Sequence, residues 1–164
     1  MARQKEIRDY APVKCSKGIT IRASHERVWT VLTDIDKWAS WNTEVSNVKL
    51  NGEPKPQTTF DWKTGGTKIH STLHTVEPFT NFGWSGKALG TLATHNWTLT
   101  ETNGQTTVFV EESMRGFLVS LLKGMFNRVV EKGMQKWLEA LKKECENEPY
   151  HDNRFSSIDE PDFL

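Results

Sequence analysis

The dipeptide Asn103-Gly104 lies between two stretches in which apolar and polar residues alternate. Asn-Gly is the strongest short signal for a two-residue type I′ hairpin turn, because both central residues need positive φ. A two-residue loop fixes the register of the strands it joins. Leu99 then faces Val108, Trp97 faces Val110 and His95 faces Glu112. Side chains alternate along a strand, so all six share one side of the ribbon. The other side carries Thr94, Asn96, Thr98 and Thr100 against Thr107, Phe109 and Glu111, and is mostly polar. The hairpin therefore predicts an antiparallel sheet whose apolar face ends in a paired histidine and glutamate. That pair is either a salt bridge at the end of a core or part of the floor of a ligand pocket.

The rest of the chain supplies partners for this hairpin. Ile19, Ile21 and Ala23 alternate with Thr20 and Arg22, which predicts a strand over 13–23 with Gly18 marking a bulge. Ser24 is placed to cap a short helix carrying Val28, Trp29, Val31 and Leu32, and Glu26 suits its first turn. A second short helix is expected from Asp36, with Trp38 and Trp41. From Val45 the period changes to two, and strands are separated by turns at Asn51-Gly52, Gly65-Gly66 and Gly86 to Gly90. Parity breaks at Val76, which predicts a bulge near Thr75. After Gly116 the period becomes helical: Leu118, Leu121, Leu122, Met125, Val129, Trp137, Leu138 and Leu141 recur at spacings of three and four. This predicts one helix of roughly 30 residues, ending near Glu146. Gly124 and Gly133 sit inside it, each costing about 1 kcal/mol against alanine. A glycine kept there allows close backbone approach or leaves room for something else; the bland alternative is a tolerated or kinking glycine. Residues 1–12 read as a flexible leader, 13–148 as one domain, and 149–164 as a flexible acidic tail.

Composition narrows the function classes. With 164 residues the chain can bury a real core. The formal net charge is +0, which argues against nucleic-acid binding by bulk basicity and gives no electrostatic reason to sit on an anionic membrane. No run reaches the roughly 20 apolar residues of a membrane span, and Met1 to Tyr10 has no apolar signal-peptide region. Cys15 and Cys145 lack metal-type spacing and read as reduced thiols in a cytoplasmic protein. Seven tryptophans and eight phenylalanines are the oddity; large aromatics fill cores and also line cavities.

The order of elements is α+β: one strand, two short helices, about six further antiparallel strands and a long C-terminal helix. The segment "ITIRASHERVWTVLTDIDKWASWNTEV" (19–45), with "VEPFTNFGWSG" (76–86), "HNWTL" (95–99) and "TTVFVEESMRG" (106–116), resembles the polyketide cyclase/dehydrase-like group of the START-related (SRPBCC) superfamily. The resemblance covers about residues 13–146. It implies a helix-grip fold, a curved sheet of six or seven strands around the long helix, with an apolar cavity between them. It carries over no single catalytic motif, and the superfamily includes carriers, receptors, cyclases and chaperone activators.

His95 and Glu112 are the best candidates for chemistry. A carboxylate beside an imidazole orients the ring and raises its basicity, which suits proton removal next to a carbonyl followed by loss of water. The bland alternative is a structural hydrogen bond at the end of the sheet. The inward strand faces carry Phe60, Trp62, Phe82, Trp84 and Trp97, with Ser71, Leu73 and Val110 beside them. Met125, Val129 and Trp137 are expected to face them from the helix. His70 and His74 share one strand face but have opposite parity to Ile69 and Leu73, so they are expected outside, with no third metal ligand. No phosphate loop or dinucleotide fingerprint occurs, and no cofactor or metal is expected. Three functions stay open: a carrier of a small hydrophobic molecule (lipid, aromatic metabolite or polyketide), a cyclase/dehydratase using the His95–Glu112 pair, or a protein-interaction module. A monomer or homodimer is expected.

Overall fold

The computed structural model describes residues 10–147. Strand β1 (Val13–Ile21) leads through Ser24 into α1 (His25–Thr33), a 3-10 turn (Ile35–Lys37) and α2 (Trp38–Trp41). Strands β2 (Val45–Leu50), β3 (Thr59–Thr64), β4 (Thr67–Glu77), β5 (Asn81–Ala88), β6 (Thr91–Thr102) and β7 (Gln105–Arg115) follow as a meander. Helices α3 (Phe117–Leu121) and α4 (Lys123–Glu146) end the described chain. All strands form one antiparallel sheet of order β1-β7-β6-β5-β4-β3-β2. This is the helix-grip, START-like arrangement that the sequence implied. The expectations for the leader and tail fall, apart from residues 10–12, outside the described residues.

Local chemistry explains the boundaries. The Ser24 hydroxyl accepts from the Arg27 N–H at 3.3 Å, capping α1. Asn103 and Gly104 take φ of 53° and 73°, as a type I′ turn demands. The pairing then runs as counted, with Leu99 opposite Val108, Trp97 opposite Val110 and His95 opposite Glu112. The register of β4 on β5 shifts between Leu73 and Thr75, where the parity break predicted a bulge.

Three expectations are corrected. Gly18 pairs regularly with Phe109 and makes no bulge. Gly86 lies inside β5, opposite Ala93, and the turn is made by Leu89 and Gly90, both at positive φ. The predicted single C-terminal helix is two, broken at Leu122 with φ −114° and ψ 34°. Only the later part of the helical stripe is core: Val130, Met134, Leu138, Leu141 and Cys145 are buried against the sheet and α1. Before Val130 the apolar spacing continues while burial does not, apart from Val119 and, in part, Phe126.

A cavity between the tryptophans and the long helix

Period two along the strands builds the site. On β5 the inward positions run Phe82, Trp84, Gly86, and on β6 they run Trp97, His95, Ala93; these pair Phe82–Trp97, Trp84–His95 and Gly86–Ala93. The inward face therefore shrinks from large rings at one end to a glycine and an alanine at the other. Helix α4 covers this face, and at the shrinking end it offers Gly133 rather than a large side chain. A Cβ placed on Gly133 would meet nothing within 4 Å. The glycine leaves room, and the space it leaves belongs to a cavity of about 180 Å³.

The cavity is lined by Trp62, Trp84, Trp97 and Trp137, with Ile69, Val110, Met114, Val130 and Met134 completing the apolar wall. His95 and Glu112 supply its polar part, together with Thr64 and Glu44. An engineered apolar void of roughly 150 Å³ accepts benzene, so this volume suits one ring or a small fused pair. Trp84 is the hinge of the wall. Its indole stacks on the His95 ring at 4.7 Å and 21°, and on Trp97 at 6.0 Å and 18°. The Trp84 N–H is buried without a hydrogen-bond partner, which is an open invitation to an acceptor atom.

His95 Nδ1 lies 3.4 Å from a Glu112 carboxyl oxygen, and both side chains are nearly buried. Burial decides their charge. It pushes the Glu112 carboxyl up to about 8 and the His95 imidazole down to about 3, with the nearby His74 as a lesser cause. The expectation that a carboxylate would raise the basicity of His95 is therefore corrected. At neutral pH the pair is a carboxylic acid beside a neutral imidazole, because loss of hydration outweighs attraction at this separation.

The other expected lining residues divide. Trp62, Trp84, Trp97 and Val110 border the cavity. Phe60, Ser71, Leu73 and Phe82 are fully buried in the packed core beside it, and the Ser71 hydroxyl accepts from the Trp62 indole N–H at 3.0 Å. Val129 touches the cavity edge yet is 60% exposed. Met125 is 52% exposed and lies off the cavity; it is about two and a half turns before Met134 on the same helix, and so on the face opposite the buried stripe. Gly86, Ala93 and Met114 were missed as lining residues. Period two from Trp84 and His95 would have placed the first two, since small inward residues beside large ones mark space.

Among the described residues, His70 and His74 do not fall in one cluster of candidate metal ligands. His70 Nδ1 lies 2.7 Å from Asp61 Oδ1. The His74 ring lies 2.9 Å from the Thr75 hydroxyl, half-buried rather than exposed as expected. His25, at the start of α1, sits between Glu101 at 2.9 Å and Glu26 at 3.1 Å. Both ring nitrogens face carboxylates, and the backbone N–H of His25 donates to Glu101 at 2.8 Å, tying α1 to β6.

Known structures share the fold at low identity. A hypothetical protein from Helicobacter pylori is 18% identical, with a TM-score of 0.77 over 88% of this chain and 97% of that one. A START superfamily protein from Mycobacterium smegmatis is 13% identical, with a TM-score of 0.71 over 81% and 97%. The Zhui aromatase/cyclase from Streptomyces sp. R1128 is 16% identical, with a TM-score of 0.71 over 81% and 93%. No curated protein matches the chain. No helix among the described residues is long and apolar enough to cross a membrane. The family described as polyketide cyclase / dehydrase and lipid transport matches residues 12–146, and the chain belongs to it.

Proposed function

We propose that the protein binds a small, uncharged, ring-containing molecule that carries an oxygen acceptor, in the cavity between β5–β7 and α4. The observation that supports this reading is the tryptophan-lined space that Gly133 leaves open. Burial of a fused two-ring molecule, about 250 Å² of apolar surface, contributes roughly 6 kcal/mol before the costs of binding. Once part of that is lost to those costs, a dissociation constant between about 0.1 and 1 mM follows for a simple probe. The neutral His95–Glu112 pair and the Trp84 N–H favour a hydroxyl or carbonyl oxygen over a carboxylate, which would find no cation among the cavity residues.

The test is a titration with 2-naphthol followed by tryptophan fluorescence. Saturable quenching is expected in the wild-type protein. Gly133→Leu fills the space and should abolish it. The same substitution should raise stability by about 1 kcal/mol, since it removes a glycine from a helix interior. Equal quenching in both proteins would place the probe elsewhere and sink the reading.

One observation favours a second reading, a cyclase/dehydratase-type enzyme. A protonated carboxyl and a neutral imidazole face the same cavity, which is the arrangement of a paired acid and base. The imidazole would take a proton next to a carbonyl while Glu112 gives its proton to a departing hydroxyl, which leaves as water. The imidazolium then returns a proton to the carboxylate across the 3.4 Å gap. Under this reading Glu112→Gln loses turnover of a β-hydroxyketone at least about a hundredfold and keeps 2-naphthol binding. Unchanged turnover would remove Glu112 from the chemistry.

A further inference from the structure

The helix break leaves an apolar face uncovered. Phe117 is 81% exposed, Leu121 67% and Met125 52%. Leu89, at the tip of the β5–β6 turn, is 80% exposed. That tip lies against the start of α3: a Cβ on Gly116 would sit 2.8 Å from the Gly90 carbonyl oxygen. Exposed apolar side chains from two separate elements are thus brought to one end of the molecule, and exposed apolar surface of this kind marks interaction sites.

The charge near the patch is mainly positive, the nearest acid on α4 being Glu131, which is paired with Lys17. From Ser113 to Val130 the charged side chains are Arg115, Lys123 and Arg128, with no acid among them. Lys87 adds a fourth cation from the β5–β6 hairpin. Among the described residues these four make no ion pair, whereas Lys136 and Lys142 farther along α4 are paired with Glu44 and Glu146. The neutral total of the chain hides this local excess.

We propose that α3, the first turns of α4 and the β5–β6 turn form a docking surface for an anionic lipid bilayer. Phe117, Leu121, Met125 and Leu89 enter the boundary between headgroups and acyl chains, and the four cations meet anionic headgroups. A second copy of this chain fits less well, because twofold pairing would set the same cations against each other. Val129 belongs both to this face and to the cavity edge, so a docked bilayer meets the side of the molecule nearest the cavity. The proposal goes beyond ligand binding and holds whatever the cavity contains.

Co-sedimentation of the full chain with vesicles tests it. Phosphatidylcholine vesicles with about 30% phosphatidylserine should bind at least about tenfold more protein than pure phosphatidylcholine, and about 0.5 M salt should remove the difference. Lys123→Glu with Arg128→Glu should abolish the preference for anionic vesicles. Leu89→Asp, on a separate element, should lower binding about tenfold. All three positions are exposed, so melting temperatures should stay within a few degrees of wild type. Absence of wild-type binding, or binding unchanged in both variants, would overturn the proposal. So would a dimer dissociated by Phe117→Ser and Leu121→Ser in a protein that ignores vesicles, since the face would then belong to a second copy.

Discussion

Trp38→Ala is expected to destabilise the protein by about 4 kcal/mol, a large part of the roughly 5–15 kcal/mol that holds a domain together. Trp38 is fully buried. Its ring meets Phe60 at 5.4 Å, Trp84 at 5.3 Å and Trp137 at 5.0 Å, linking β3, β5 and α4. Its indole N–H donates to the Leu32 carbonyl at 2.9 Å, so the ring also holds the end of α1. Removing it opens a void among groups that cannot collapse together and leaves that carbonyl without its partner. Urea unfolding followed by circular dichroism measures the loss. Trp97→Ala is the control: Trp97 already borders empty space, so its loss should cost less. A Trp38→Ala cost below about 1 kcal/mol would mean the aromatic cluster is not a packed centre of the fold.

The second large effect is on pH. Glu112 is raised from 4.5 to about 8, so the folded protein holds a proton there that the unfolded chain has released. Its contribution is complete below pH 4.5 and is lost as pH climbs toward 8. His95 is lowered from 6.5 to about 3, so its contribution is complete above pH 6.5 and is lost as pH falls toward 3. Between 4.5 and 6.5 the two proton differences cancel, and stability should be flat. Above that window it should fall by about 2 kcal/mol up to pH 8, at about 1.4 kcal/mol per unit. The acid limb should be of similar size from this pair alone. Glu112→Gln should remove the alkaline limb and keep the acid one. An alkaline limb unchanged in Glu112→Gln would show that Glu112 is already ionised in the folded state.

Much of the sheet was legible because its signals are local. Asn103-Gly104 dictated two positive φ angles, and those fixed His95 opposite Glu112. The bulge near Thr75 was legible for the same reason, since losing period two has a direct geometric meaning. The C-terminal segment was not. Leu118 to Val129 keep helical apolar spacing, and spacing alone does not say whether a core or a solvent interface covers them. The break at Leu122 is a tertiary fact, and the buried stripe of α4 runs on the face opposite Met125. The charge state of the His–Glu pair was hidden in the same way. Sequence placed the two side chains together, while their protonation depends on depth, and depth comes from α4 lying over them. Ser71, Leu73, Phe60 and Phe82 were placed on the right face but in the filled part of it.

The sheet order sets a timetable for synthesis. Strand β1 is made first, yet its partner in the sheet is β7: Ile21 pairs with Thr106, and Val13 with Met114. At about 5–20 residues per second, Ile21 waits roughly 5–20 s for its partner to be made, and the ribosomal tunnel adds to the delay. Strands β3 to β7 pair with sequence neighbours and can zip up as they emerge. The N-terminal strand cannot, and during that interval its apolar residues and open backbone groups are available to a chaperone or to another nascent chain. Closure of β1 on β7 should accordingly be the late, slow step in refolding, and the step most sensitive to protein concentration.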